Sequence, residues 1–513
     1  MLIFLLACQG QDEATRADRI TIKDASFKDG HGRQVIFNGI NMVNKSKEEQ
    51  YLFDDSPETY ANLKQWGFNC LRFAIIWDGL EPEPGVYNEQ YLQEIDRRIQ
   101  RAADNNMYVI LDMHQDLFSV KYADGAPEWA TLDEGKEHIA GNIWSDAYLM
   151  SGAVQAAFDN FWLDKPAPDG IGVQTHFANL WKHIAARYAD NPTVVGYDIM
   201  NEPFMGSAVN QALPALLEAC GELIYEKTGT AWSADELLAA FGNDKQRMEL
   251  LQFMSSRRSF AQVIDALEPF NAEFEKNLLQ PMYQKVAHAI REVDTTHVLF
   301  LEHSYFSNMG VKSAVERVRL KDGLPDRLVA YAPHAYDLVT DTEGASEASA
   351  ERLHLIYDRI AQKGKQLAMP VWLGEWGAYY AHSQMTLVVR NAISLMESNL
   401  LSHAYWSYFS GIEQMDYFQE AMIRPCPKRI SGRLMEYHYD AEAQQFYCCW
   451  QENEESKQPT IIYVPQLAEL SKSNMTMAPS SHIEFEYDEN ATSGRLLIYP
   501  CGEKTRREIR IEN

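Results

Sequence analysis

Eight short apolar runs, separated by longer amphipathic stretches, constrain the fold of this chain more than any other feature. Strand-helix units repeated in this way bury their apolar runs in a parallel sheet, and eight such strands close into a barrel. The runs lie at residues 35–41, 69–73, 108–114, 194–201, 298–302, 328–334, 371–375 and 403–406. The pattern predicts an α/β fold of the (β/α)8 TIM-barrel type, with its active site at the carboxyl ends of the strands.

Two connections and the C-terminal part depart from this repeat. Residues 117–161 and 204–280 are too long for single crossover helices, so we expect them to form insertions on the catalytic face. After residue 418 the chain becomes a series of short alternating runs separated by polar turns, typical of a small antiparallel β-sandwich. We therefore predict a tether at 1–18, a catalytic barrel at 19–423 and a β-sandwich domain at 424–513.

Composition excludes several classes of partner. The formal net charge is -27, and the basic residues form no stripe, so nucleic acid is not expected to bind. No apolar run approaches the ~20 residues of a membrane span. No C-x-x-C spacing and no phosphate-binding glycine loop occurs, so we predict neither a metal nor a cofactor.

The seven cysteines leave one structural question open. In an oxidising compartment, a disulfide would join one member of the adjacent pair Cys448 and Cys449 to Cys426 or Cys501. The alternative is that the cysteines are small buried core residues. The sequence does not set the pairing.

The first eight residues are a short apolar run that ends in Ala7 and Cys8. This arrangement is similar to the cleavage site of bacterial lipoprotein signals, although no basic residue precedes the apolar run. We expect export to the bacterial periplasm, to the cell surface as a lipoprotein or to the medium, with Cys8 as a lipid attachment site. Contact with a membrane surface would follow from that anchor or from the substrate.

Two glutamates stand at the ends of well-separated runs. The fourth run leads into Asn201-Glu202-Pro203, and the seventh leads into Glu375-Trp376. Both carboxylates should therefore reach the same mouth of the barrel. Retaining glycoside hydrolysis requires two carboxyl groups about 5–5.5 Å apart, one as nucleophile and one as acid and then base. A single glutamate at a strand end is more often an ion-pair partner, but two with this spacing favour catalysis.

Eight residues, each at or just past the end of a run, resemble the functional set of glycoside hydrolase family 5. They are Arg72, His114, Asn201, Glu202, His334, Tyr336, Glu375 and Trp406. The resemblance implies that Glu202 is the general acid/base and Glu375 the nucleophile. It also implies that the two histidines orient the substrate and the carboxylates.

The resemblance assigns roles to the remaining members of this set. Asn201 would hydrogen-bond the sugar 2-hydroxyl, and Trp406 would form the platform under the reacting sugar. Tyr336 and Arg72 would keep the nucleophile ionised, by a hydrogen bond and by positive charge respectively.

Longer blocks of sequence resemble one branch of the family, the endoglycoceramidases and related glucosylceramidase-like enzymes. These blocks are residues 112–116, 153–162, 197–203 and 424–432. The resemblance implies cleavage of the β-linkage between glycan and ceramide in glycosphingolipids. It also implies four further candidates for contacts to the sugar: Lys45, Gln115, Asp116 and Trp162.

A ceramide leaving group requires an apolar slot beside the acid/base, since each exposed CH2 costs about 0.8 kcal/mol. The insertion after Glu202, beginning with Phe204 and Met205, would supply it; the alternative is that this insertion is plain core. Two other functions remain open: a family 5 β-glucanase or a β-glucosidase acting on another lipid glycoside such as a steryl glucoside, and a catalytically silent, glycan-binding surface lipoprotein.

Overall fold

Eight parallel strands form a barrel in the computed structural model, which describes residues 19–512 other than 343, 381 and 489. The expected signal segment and Cys8 lie outside the described residues. The barrel strands are Asn38–Met42, Cys70–Ile76, Tyr108–His114, Val194–Asp198, Val298–Leu301, Val329–Tyr331, Trp372–Leu373 and Ser402–Tyr405. The predicted barrel is confirmed, and each strand overlaps one of the eight apolar runs.

The sixth and seventh strands close the barrel. Tyr331 forms a parallel bridge with Val371, and its N–H donates to the carbonyl of Pro370 at 3.0 Å. Beyond this bridge the two strands continue as a second short ladder, in which His334–Ala335 pairs with Glu375–Trp376. This register sets His334 directly beside Glu375 at the mouth.

The strands are buried on both faces, as continuous apolar runs require. All seven residues of Cys70–Ile76 are buried, including the arginine in the middle. At the opposite end from the mouth, the barrel is plugged by Phe27, whose ring lies 5.0 Å from that of Phe37 and 6.1 Å from that of Phe300. The barrel is therefore a filled core, and only its mouth can hold a ligand.

The first crossover helix shows how local sequence sets the helix ends. Ser56 caps it by accepting the N–H of Thr59, Pro57 begins it, and Gly67 follows it with a φ of 88° that favours glycine. The α-helices are Pro57–Gln65, Trp77–Leu80, Glu89–Asp104, Asp146–Met150, Gly152–Trp162, Val173–Tyr188, Val209–Thr228, Ala234–Phe241, Asp244–Phe253, Arg257–Ile264, Glu268–Phe274, Gln280–Arg291, Ala350–Leu367 and Thr386–Ser398.

One crossover lacks an α-helix. The fifth strand is followed by a single 3-10 turn, Tyr305–Met309, and by extended chain up to the sixth strand. The two insertions follow the third and fourth strands. They contact each other through a hydrogen bond from the Asn142 side chain to the Gly242 carbonyl. None of the helices described in residues 19–512 is long and apolar enough to cross a membrane.

The C-terminal part consists of two antiparallel sheets, as expected for a β-sandwich. One is a four-stranded sheet in the order Arg433–Asp440, Gln445–Gln451, Arg506–Glu512 and Met475–Ala478. The other is a seven-stranded sheet in the order Thr21–Lys23, Ser26–Lys28, Gln34–Val35, Cys426–Ile430, Thr460–Val464, Gly494–Ile498 and Ile483–Tyr487. Three N-terminal strands thus extend a sheet of the C-terminal domain across the predicted boundary at residue 424.

A buried ion pair joins the two domains. Arg424 Nε donates to Glu397 Oε1 at 2.7 Å, and Glu397 Oε2 accepts the backbone N–H of Tyr439 at 3.0 Å. The six cysteines among the described residues are free thiols, so the structure supports the interpretation of buried core residues over a disulfide.

Candidate active site

The structure brings the two predicted catalytic carboxylates together at the barrel mouth. One carboxylate oxygen of Glu202 lies within 4.8 Å of one from Glu375. Retaining glycosidases hold these groups about 5–5.5 Å apart, whereas inverting enzymes leave ~6.5–9.5 Å for a water molecule. The separation is therefore that of a retaining mechanism.

The backbone of Glu202 is held in a left-handed conformation, with a φ of 43°. Its N–H donates to Glu302 Oε2 at 2.8 Å. From the other side, Gln115 Nε2 donates to the carbonyls of Asn201 at 2.7 Å and Glu202 at 3.2 Å. A left-handed residue that is not glycine costs of order 1–3 kcal/mol, so these contacts maintain the geometry of the acid/base.

Glu375 receives donors on both oxygens. Arg72 Nη1 donates to Oε1 at 2.7 Å, and the Tyr336 hydroxyl donates to Oε2 at 2.9 Å. Burial raises the pKa of Glu375 above its usual value, and the positive charges of His334 and Arg72 offset only part of this rise. These contacts are the ones expected to stabilise an ionised nucleophile.

Arg72 lies below the mouth and is fully buried. Besides Glu375, its guanidinium binds Asp112 at 2.9 Å, Asp198 at 2.9 Å and Glu302 at 2.8 Å. Burial raises the pKa of Asp112 to about 6, of Asp198 to about 7 and of Glu302 to about 8. The cluster therefore retains protons around neutral pH more readily than isolated carboxyl groups do.

These three carboxyl groups were not predicted from the sequence. Asp198 ends the fourth strand and Glu302 follows the fifth, whereas Asp112 lies two residues before the end of the third. The same rule that identified Glu202 and Glu375, a charged residue where an apolar run ends, would have found Glu302.

A second cation lies on the sugar side of the mouth. Lys45 hydrogen-bonds Asp116, lies 3.8 Å from an oxygen of Asp124 and sits 4.8 Å from the centre of the Trp406 ring. Burial lowers the pKa of Lys45, but the two carboxylates raise it by more. His114 stacks on the Trp406 ring at 5.0 Å, and burial keeps its pKa well below the usual value.

These groups line a cavity of about 500 Å³. Eight of the predicted residues line it: Lys45, His114, Asp116, Asn201, Glu202, Tyr336, Glu375 and Trp406. Apolar and aromatic residues that were not predicted as part of the site line it as well, among them Ile143, Trp144, Tyr305, Met309, Leu338 and Tyr380. Arg72 and His334 lie beneath the lining, in contact with the two catalytic carboxylates.

Two predicted sugar contacts are corrected by the structure. The Trp162 indole is buried, packs against Phe158, Phe161 and Phe274, and donates its N–H to the Phe204 carbonyl at 2.9 Å. Both ends of the Gln115 amide are engaged by backbone groups rather than directed at the cavity. The first is a core residue, and the second positions the acid/base.

The insertion after Glu202, predicted to supply a lipid slot, does not line the cavity. Phe204 and Met205 are 0% and 1% exposed, and the insertion after Glu202 contributes buried residues to the main hydrophobic core. The apolar wall of the cavity comes instead from the loops after the third, fifth and sixth strands. The interpretation of this insertion as core is therefore the correct one.

Two groups of close carboxylates at the site already bind a protein cation. Lys45 contacts Asp116 and Asp124, and Arg72 contacts the three carboxyl groups beneath the mouth. A metal ion in either group would have to displace that cation, so the donor set does not fit a metal ligand shell.

A filled eight-stranded barrel with two close carboxylates at its mouth is the arrangement expected of a retaining glycoside hydrolase. Residues 29–411 match the family described as cellulase (glycosyl hydrolase family 5), and residues 424–511 match the glycoside hydrolase family 5 C-terminal domain. The chain belongs to glycoside hydrolase family 5, which confirms the resemblance found in the sequence.

Two curated relatives that are similar to this chain are named endoglycoceramidases. An endoglycoceramidase of Cyanea nozakii is 29% identical over 228 residues, which are 38% of this chain and 43% of that protein. This chain therefore spans less than half the length of that relative. Endoglycoceramidase I of Rhodococcus hoagii is 21% identical over 89% of this chain and 83% of its own.

A solved structure covers the whole fold. Endo-glycoceramidase II from Rhodococcus sp., in a complex with ganglioside GM3, superposes with a TM-score of 0.73 at 22% identity. The match includes 96% of this chain and 100% of that one. At this identity the likeness establishes the shared fold of barrel and C-terminal domain.

Replacing Tyr336 with phenylalanine should shift the acidic limb of the pH profile. The substitution removes the hydroxyl that donates to Glu375, so the pKa of the nucleophile rises. Because the nucleophile must be ionised, the acidic limb of kcat/KM moves to higher pH. Loss of a hydrogen bond to a charged group, about 1.5–3 kcal/mol, corresponds to a roughly 10- to 100-fold lower kcat/KM.

Tyr408→Phe is the matched control for this prediction. Its hydroxyl lies 3.2 Å from that of Thr59, and Tyr408 does not line the cavity. The pH profile of this control should be that of the wild-type protein. An unchanged acidic limb in Tyr336→Phe would contradict the assigned contact.

Proposed function

We propose that this chain is a retaining β-glycosidase that hydrolyses the bond between a glycan and the ceramide of a glycosphingolipid. The observation that carries the proposal is that one cavity holds the two close carboxylates, polar groups from Lys45, Asp116 and Asn201, and the apolar and aromatic side chains of Trp144, Tyr305, Met309 and Leu338. The family assignment and the relatives named endoglycoceramidase support it.

The first step of the reaction follows from the contacts of the two glutamates. Glu375 attacks the anomeric carbon and forms a glycosyl ester, while the bond from that carbon to the leaving oxygen breaks. Glu202 gives its proton to the leaving oxygen, so the aglycone departs as an alcohol. Arg72 and Tyr336 bind the nucleophile and limit its alternative positions.

The second step reverses these roles. Glu202, now ionised, takes a proton from a water molecule, and the water oxygen attacks the anomeric carbon. The ester bond to Glu375 breaks, and the sugar is released with its original anomeric configuration. Glu202 regains its proton, so no proton is gained or lost over the cycle.

The polar half of the cavity suits a sugar. Lys45, Asp116 and Asn201 present ammonium, carboxylate and amide groups to hydroxyls, and the Trp406 ring offers a flat apolar face to a pyranose. His114 stacks on that ring and limits its movement. This half adjoins the nucleophile.

The apolar half lies beside the acid/base, where the leaving group must be. Tyr305 and Met309 belong to the 3-10 turn whose Asn308 contacts Glu202, and Trp144 and Leu338 complete the wall. An alkyl chain that leaves water for such a surface gains about 0.8 kcal/mol per CH2. The thioether of Met309 adapts to chains of different shape.

Product analysis tests the proposal directly. Wild-type protein is incubated with glucosylceramide, lactosylceramide, a ganglioside and a soluble β-glucan, and the products are identified by mass spectrometry. We expect ceramide release, because only ceramide uses the apolar half, and we expect Glu375→Gln to abolish it. Cleavage of the glucan alone would exclude a ceramide substrate. A steryl glucoside is tested as a fifth substrate, and its cleavage alone would favour the other lipid-glycoside function.

A substitution in the apolar wall should separate lipid from soluble substrates. Met309→Ser removes a flexible apolar side chain beside the leaving group, so kcat/KM for a ceramide glycoside should fall roughly 10-fold, about 1.4 kcal/mol of lost contact. For a soluble aryl glycoside with the same sugar it should change less than about 3-fold. The exposed Met150, replaced in the same way, is the control, since it lies outside the cavity. Equal losses on both substrates would contradict an aglycone site at Met309.

We also propose that the protein is exported and held at a membrane surface by a lipid on Cys8. The apolar run before Ala7-Cys8 supports this proposal. In a bacterial host fed a clickable fatty acid, the label should be incorporated and should be lost in Cys8→Ala. The half-buried Cys501, replaced in the same way, should leave labelling unchanged. Absence of label in the wild-type protein would exclude the anchor.

A further inference from the structure

We propose that Asn308 is a positioning residue that determines which oxygen of Glu202 carries the catalytic proton. The proposal rests on the glycosidase function assigned above and adds to it a residue outside the predicted set. Asn308 Nδ2 donates to Glu202 Oε1 at 2.7 Å. The side chain is 2% exposed and lines the cavity.

The segment that carries Asn308 is tied to the neighbouring strands. The Tyr305 N–H donates to the Pro203 carbonyl at 2.9 Å, next to the acid/base. The Tyr336 N–H donates to the Asn308 carbonyl at 3.0 Å. The 3-10 turn is thus held between the ends of the fourth and sixth strands, so the Asn308 side chain has little freedom to move.

A buried histidine contacts the other end of the Asn308 amide. His303 Nε2 lies 2.9 Å from Asn308 Oδ1, and His303 Nδ1 lies 2.8 Å from the Tyr331 hydroxyl. Burial lowers the pKa of His303 to about 3, so the ring is neutral and has one N–H. The backbone N–H of His334 also donates to His303 Nε2 at 3.3 Å. The amide orientation therefore rests on its contact with Glu202.

The opposite amide orientation conflicts with catalysis. It would direct Oδ1 at Glu202 Oε1, and two acceptors would face each other whenever Glu202 is ionised. Glu202 must be ionised before it activates water. The observed orientation instead supplies a donor in both protonation states of the acid/base.

Glu202 Oε1 accepts a second hydrogen bond as well. His334 Nδ1 lies 2.9 Å from it. Burial lowers the pKa of His334, but the charges of Glu302 and Glu375 raise it well above its usual value, so the ring is a cationic donor. With two donors on Oε1, the proton of the acid form belongs on Oε2, which accepts no hydrogen bond from the described residues.

Removal of the Asn308 side chain should therefore impair protonation of the leaving group. Without Asn308, Oε1 regains a lone pair, and protonation there would direct the proton away from the leaving oxygen. Hydrolysis of substrates whose leaving group must be protonated should then be slower. Hydrolysis of substrates whose leaving group needs no proton should keep its rate. A general loss of structure would affect both kinds of substrate equally.

The experiment compares two soluble β-glycosides of one sugar, a 2,4-dinitrophenyl glycoside and an alkyl glycoside. The dinitrophenolate leaves without protonation, whereas the alkoxide requires an acid. For Asn308→Ala, kcat/KM on the alkyl glycoside should fall roughly 10- to 100-fold, part of the ~10²–10⁴-fold contribution of acid catalysis. On the dinitrophenyl glycoside the loss should be less than about 3-fold, because kcat/KM reports only the first step.

Asn308→Asp provides a second variant of nearly the same shape. It retains the packing but replaces the Nδ2 donor with an acceptor, so it should show the same dependence on the leaving group. The result therefore does not depend on whether the alanine variant folds.

Asn271→Ala is the matched control. Asn271 is fully buried and donates to Ser307 Oγ at 3.0 Å, so it supports the same 3-10 turn without contacting Glu202. Any loss it causes should be equal for both substrates.

Equal losses on the two substrates in both Asn308 variants would overturn the role of Asn308 and leave the glycosidase function intact. A wild-type protein that hydrolyses no β-glycoside would instead overturn the glycosidase function itself. The two failures are thus distinguishable.

Discussion

The active site depends on one buried guanidinium. Arg72 is fully enclosed in the barrel and binds carboxyl groups from the third, fourth, fifth and seventh strands at 2.7–2.9 Å. An unpaired charge at this depth would cost several kcal/mol, and so would each carboxylate without its cation. The cluster is therefore stable only when the ends of all four strands lie close together around Arg72. The same approach of the strand ends brings Glu375 close to Glu202. Stability of the mouth and placement of the nucleophile thus have a common cause.

The acid/base is held by a different set of contacts. Glu302 binds both Arg72 and the backbone N–H of Glu202, so the carboxyl cluster beneath the mouth also maintains the left-handed conformation at Glu202. The side chain of Glu202 receives two donors, from Asn308 and His334. Every one of these partners comes from the fifth or sixth strand or from the segment that follows it. In the proposed mechanism these contacts govern proton transfer, whereas Arg72 and Tyr336 hold the nucleophile.

The walls of the cavity differ in polarity because they are built from loops of different composition. Lys45, Asp116 and Trp406 line the part of the cavity proposed to bind the sugar. The apolar side is formed by the segments after the third, fifth and sixth strands, including the 3-10 turn after the fifth strand. A crossover α-helix at this position would have directed its apolar face to the barrel. The short turn instead leaves Tyr305 and Met309 partly exposed beside the acid/base.

Sequence patterns predicted the barrel, the C-terminal sheets and the family, because each depends on local signals. Apolar runs of strand length are buried in any fold that forms, and Asn201-Glu202-Pro203 and Glu375-Trp376 stand where two of these runs end. Glu302 and Asn308, which act through a partner far along the chain, were missed. Glu302 looks like an ordinary strand-end carboxylate until its contact with Glu202, 100 residues away, is known.

The sequence by itself thus determined the strand order, the pair of glutamates and the family, because periodicity and short motifs are encoded within a few neighbouring residues. Only the tertiary structure decided which apolar residues face the cleft. Phe204 and Met309 are both apolar and both follow a strand, yet the first is 0% exposed in the core and the second lines the cavity. The same transfer free energy drives both out of water, so hydrophobicity alone cannot distinguish a core position from a binding surface. That choice depends on which loops pack against each other across the mouth of the barrel.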